Sequence, residues 1–103
     1  MKTAHQIDVD LQTALAQARH LESIADSITH RVTKPMENTA QTLQTAWKGA
    51  SATQFIRKET ALSSQVSATA QQMREIAADI RAAARRIYNA EMEACRIAQT
   101  RRS

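Results

Sequence analysis

Glycine and proline are nearly missing from this chain: Gly49 is the one glycine and Pro35 the one proline among 103 residues. A sandwich or barrel needs many tight turns, most of them built on such residues, so an all-β fold is excluded. Cysteine is as scarce. Cys95 stands alone, which rules out an internal disulfide, and beside Arg96 on a helix surface it reads as an inert thiol. Aromatic residues make up 3% of the chain, leaving little bulk for a deep core and room for one small domain.

Long apolar runs are also lacking. Met1 to Leu11 holds no stretch of the roughly seven residues that a secretory leader needs, and nothing later approaches about eighteen. The sequence therefore predicts no cleaved leader and no membrane span. Catalytic groupings are missing too: no Ser, His and Asp set, glycine-rich phosphate loop or pair of pocketed carboxylates can be assembled, so neither an enzyme nor a cofactor is expected. His5, His20 and His30 have no partners at metal-ligand spacing, and no metal site is expected.

What remains is rich in Ala, Gln, Arg, Glu, Met and Leu, residues that lose little side-chain freedom in a helix. In the first half, Ile7, Leu11, Ala14, Ala18, Leu21, Ala25, Ile28 and Val32 recur at spacings of three and four, a continuous helical seam. Pro35 then falls on a seam position, and the stripe moves one residue over to Met36, Thr39, Leu43 and Ala46. Proline lacks an N–H for the Arg31 carbonyl and crowds it, at a cost of about 3 kcal/mol in a helix interior. The sequence predicts a kink between Arg31 and Pro35, with the helix resuming beyond.

The second half is more regular. Ala52, Phe55, Leu62, Val66, Met73, Ile76, Ile80, Ala83, Ile87, Ala90, Ala94 and Ile97 fill the a and d positions of a heptad, interrupted by Glu59 and Thr69. Ile56, Ala70, Ala77, Ala84 and Ala98 add the e positions, making the face wider than a bare two-helix seam. Between the halves, Trp47-Lys48-Gly49 suits a turn: Gly49 supplies the left-handed residue that ends helix one, and Ser51 with Gln54 forms a capping box that starts helix two.

The expected fold is therefore all-α. Helix one covers about 7–47 with the kink, the turn about 48–50, and helix two about 51–99, each roughly 60 Å long. A turn so short makes the helices antiparallel neighbours. Phe55, Leu62, Val66, Met73, Ile76, Ile80 and Ile87 are the expected core and dimer seam, since one neighbour cannot cover an a, d and e face. Two chains forming a four-helix bundle would do so.

The charge is +4 with an isoelectric point near 9.8, and the excess sits in the second half, interleaved with acids. Arg81, Arg85, Arg86, Arg101 and Arg102 offer contacts to nucleic acid or an anionic membrane, but the stacking aromatics and base-reading residues of a specific binder are missing.

The turn and the heptad runs that flank it resemble the WXG family, the small helical proteins exported by type VII secretion systems. The resemblance covers nearly the whole chain and rests on Trp47-Lys48-Gly49 between two heptad runs, Phe55 shortly after it, and Tyr88 near the C-terminus. It implies a four-helix homodimer or heterodimer with a similar small helical protein, docking on the type VII machinery, and export from the cytoplasm without a cleaved leader. It also implies a signal read jointly from Trp47, Gly49 and Tyr88 with an acid after it. Position 92, where the family carries that acid, is Met, and Glu91 is the nearest substitute. Tyr88, off the heptad seam beside Ile87, reads as an exposed docking residue. A non-exported partner subunit is a third reading.

Overall fold

A computed structural model describes residues 2–102. Among them the chain is helical except at its very start and at the turn, and holds no strand. Helix α1 spans Ala4–Ile28, a single π-helical turn follows at Thr29–Thr33, α2 spans Lys34–Ala46 and α3 runs over Ala50–Arg102. The contacts divide into two compact units. One is Glu22–Arg74; the other joins the chain up to Leu21 with the chain from Glu75 onward. Each is a pair of antiparallel helices.

The start of α1 is closed by a capping box that the sequence analysis did not identify, formed by Thr3 and Gln6. The Gln6 backbone N–H donates to Thr3 Oγ1 at 3.1 Å, and the Thr3 N–H donates to Gln6 Oε1 at 2.9 Å. The box expected at Ser51 is not what starts α3. That helix begins at Ala50, and the Gly49 carbonyl accepts both the Thr53 N–H at 3.1 Å and the Thr53 hydroxyl at 3.0 Å. Gly49, with φ of +117°, therefore occupies the N-cap position of α3. Helix α2 ends one turn earlier, where extended Trp47 donates its N–H to the Leu43 carbonyl at 2.8 Å.

The proline region resolves into a π-turn. The Lys34 N–H donates to the Thr29 carbonyl, five residues back instead of four. One extra residue is thereby absorbed just before Pro35, which sits in the first turn of α2 where a missing N–H costs least. The inserted residue also shifts the inner face. Thr33 is buried in place of Val32, which is 40% exposed, and the face continues through Met36, Ala40 and Leu43. Thr39 and Ala46 of the expected stripe are exposed. Arg74 of α3 holds this segment, donating to Asp26 and to Thr29 Oγ1, both at 3.1 Å.

The inner face of α3 differs from the expected heptad seam. It runs through Ala52, Ile56, Glu59, Ser63, Val66, Ala70, Met73 with Arg74, Ala77, Ile80 with Arg81, Ala84 and Tyr88. From Ala52 to Ala84 the steps alternate four and three, so the inner face keeps the heptad spacing but on the a and e positions in place of a and d; it moves over by one residue only after Ala84, where the step to Tyr88 is four. Val66, Met73 and Ile80 stay on the inner face, whereas Phe55, Leu62, Ile76 and Ile87 lie outside it, about half exposed. Small side chains fix this choice. Ala18 and Ala77 in one unit, and Ala25 and Ala70 in the other, are completely buried, and helices meeting at alanines approach too closely to seat bulky residues between them.

The π-turn leaves a test. Other threonines return their hydroxyls to the carbonyl four residues back, as Thr39 does to Pro35 at 2.9 Å. For Thr33 that carbonyl is given to Lys34, and Thr33 Oγ1 is buried with no partner. Thr33→Val keeps the shape and removes the orphaned hydroxyl, so it should stabilise the chain by about 1 kcal/mol. A rise in melting temperature checks this; a fall would mean that the hydroxyl is satisfied.

Candidate interaction surface

The tip lies wholly within the Glu22–Arg74 unit. Trp47 is 44% exposed and Phe55 49%, and their rings meet at 5.9 Å between centroids, inclined by 52°. The extended backbone at Trp47 turns the indole off the end of α2, and Phe55 meets it from the second turn of α3. This tilted pair is a preferred aromatic arrangement. It leaves much of both rings in water. Gly49 has nothing within 4 Å of where a Cβ would stand, so its need for glycine lies in its φ alone.

Beyond the tip, the large apolar side chains that α3 exposes are Phe55, Leu62, Ile76, Ile87 and Ile97. Four of these, Phe55, Leu62, Ile76 and Ile97, lie at multiples of seven residues from one another. They are the d positions of the heptad, and Thr69, Ala83 and Ala90 complete the series. The d half of the heptad signal thus lies mostly outside the chain's own inner face, while its a half, with Val66, Met73 and Ile80, lies on it.

Tyr88 and Glu91 sit in the other unit. Tyr88 is half-buried, which corrects the expectation that it is exposed and off the seam, while Ile87 beside it is 57% exposed. The inner face keeps the heptad spacing as far as Ala84 and then takes a second successive step of four, which puts Tyr88 where the alternation would have put Ile87. Tyr88 lines a shallow depression with Ile7, Leu11, Ala14, Ala84 and Glu91. At its edge Lys2 pairs with Asp10 at 2.7 Å and with Glu91 at 3.2 Å. The hydrogen bond to Asp10, and then that to Glu91, raise the Lys2 ammonium above its ordinary range. Glu91 is therefore engaged by the chain's own N-terminal segment. Met92 is half-buried, and Glu93 is bound by Arg96, whose hydrogen bond holds that carboxyl below its usual value. Lys2 and Arg74 were missed as organising residues, because long-range ion pairs leave no local pattern in a sequence.

Among the described residues no group of three or more His, Cys, Asp or Glu side chains converges, and no helix is long and apolar enough to cross a membrane. Comparison with known proteins finds no matching family model, no similar curated protein and no similar solved structure.

Partial burial of Tyr88 sets a stability contrast. At concentrations below self-association, Tyr88→Ala should cost about 1 to 2 kcal/mol, and Ile87→Ala should stay within about 0.5 kcal/mol. Chemical denaturation of both variants measures the difference. Equal costs would place the two side chains in equivalent surroundings.

Proposed function

We propose that this protein works by helix pairing: the apolar side chains that α3 exposes are covered by a second copy or by a similar small helical protein, giving a four-helix assembly. The observation that carries this reading is the half exposure of Phe55, Leu62 and Ile76, which lie at multiples of seven residues from one another. Scattered exposed apolar residues are normal on a protein surface. A series with period seven is what a partner helix recognises. The fully buried alanines add to this, since the inner face is already filled by small residues and has no use for the larger ones.

Within that reading, the resemblance carried by Trp47, Gly49 and Tyr88 supports a substrate or adaptor of a type VII secretion system, cytoplasmic until exported. The exposed Trp47–Phe55 pair suits recognition by a protein surface. Tyr88 and Glu91 contribute to the shape of the C-terminal part of α3 as much as to any docking contact.

Sedimentation tests the pairing. The wild-type chain should be dimeric at micromolar concentration, while Leu62→Asp combined with Ile76→Asp should be monomeric with its helix content retained, because both positions are solvent-facing in the single chain. A wild-type chain that sediments as a stable monomer, with or without those changes, removes the proposal unless a separate partner protein restores assembly. Export is tested in a host carrying a type VII system. Trp47→Ala and Tyr88→Phe, which keeps the packed ring, should each reduce secretion; normal secretion of both would leave a non-exported pairing subunit as the reading.

A further inference from the structure

Exposed aromatic surface and unbalanced positive charge coincide at one place in the Glu22–Arg74 unit, the turn between α2 and α3. From Asn38 to Lys58 the sequence holds no acid, and its three cations are Lys48, Arg57 and Lys58. All three are exposed. Lys48 reaches back to the Gln44 carbonyl at 3.4 Å, while Arg57 and Lys58 pair with no acid among the described residues. Lys2, Arg74 and Arg96, by contrast, are each held by an acid.

These cations flank the Trp47–Phe55 pair. Lys48 follows Trp47 directly, and Lys58 stands three residues after Phe55, on the same side of α3. Arg57 and Lys58 lie roughly 10 to 12 Å along that helix from Ala50. Helix side chains lean toward the helix N-terminus, which for α3 is the tip, and the long stems of Arg and Lys carry their charge further. The Trp47 indole N–H has no partner among the described residues. A half-exposed indole with a free donor suits the boundary between hydrocarbon and headgroups, where one end of the ring is dry and the other wet.

Area decides which kind of partner the tip fits. Rings of this kind bury about 150 to 250 Å² each, so two that are half covered leave on the order of 200 Å² exposed. A standard protein interface takes about 800 Å² from each partner, so a stable protein partner would have to reach well beyond the tip. A bilayer needs no such fit: headgroups rearrange around the rings, and each cation adds its own attraction to anionic lipid. We infer that this tip docks peripherally on an anionic lipid surface, with Trp47 and Phe55 entering the interface and Lys48, Arg57 and Lys58 meeting the headgroup anions. Surface attachment of this kind takes an apolar anchor together with a basic patch, and the tip holds both. This goes beyond helix pairing and does not depend on it.

Trp47 is the one tryptophan of the chain, so its fluorescence reports directly on the tip. Vesicles of equimolar phosphatidylcholine and phosphatidylserine, titrated into the full chain, should shift its emission to the blue in a saturable way. Vesicles of phosphatidylcholine alone should bind at least about tenfold more weakly. Arg57→Gln with Lys58→Gln should weaken binding to the anionic vesicles about twentyfold, the scale of two cations near such a surface, with helix content unchanged by circular dichroism. Arg85→Gln with Arg86→Gln removes the same charge from exposed positions of the other unit and should leave binding within about twofold. Trp47→Ala, followed by co-sedimentation with the anionic vesicles, should weaken binding about tenfold. Absence of a blue shift, equal weakening by the two double substitutions, or an equal shift on adding a DNA duplex at matched phosphate concentration would each overturn the inference.

Discussion

Close approach of helix backbones at alanine is the constraint on which the rest of this structure depends. Each compact unit buries one alanine from each of its helices to zero exposure: Ala18 and Ala77 in one, Ala25 and Ala70 in the other. With 3% aromatic residues the chain has little volume to bury, so cohesion must come from many short-range contacts between small groups. Such contacts need close neighbours. The inner face of α3 therefore takes in the line of small e positions, Ala70 and Ala77 among them, and leaves the bulkier d positions out.

Two flanks of one heptad stripe coexist in α3. The a and e positions, from Ala52 to Ala84, face the neighbouring helix of their unit; the d positions Phe55, Leu62 and Ile76 are left in water. A helix that carried only the first pattern would have finished its packing within the chain. The second pattern costs solubility unless another surface covers it, which is the physical basis for a role in pairing.

The Glu22–Arg74 unit is the less complete of the two. Its α2 is threonine-rich, with Thr39, Thr42 and Thr45 each bonding back four residues, a habit that helices tolerate at some cost. Among the described residues it also holds the two side-chain oxygens buried without a partner, on Thr33 and Glu59. Arg74 compensates at one end of the unit and the Trp47–Phe55 contact at the other. Between them, α2 and the first part of α3 leave a groove of about 490 Å³ lined by Met36, Ala40, Glu59 and Ser63.

Much of this was legible in the residues. Helix content followed from the near absence of Gly and Pro; the turn at Trp47 to Gly49 followed from their one shared neighbourhood; the disturbance before Pro35 followed from a missing N–H. In each case a local property decides the outcome, and local properties are written in adjacent residues. The inner face of α1, from Ile7 to Ile28, was also readable, because the apolar residues at spacings of three and four are there the ones that pack. Tertiary structure alone decided which face of α3 turns inward, that the proline is met by a π-turn, and that Gly49 serves the start of α3 more than the end of α2. It decided as well that Tyr88 packs and Ile87 does not. These depend on how near two backbones can come, and that distance is set by pairs of side chains far apart in sequence, whose joint fit no single stretch of residues encodes.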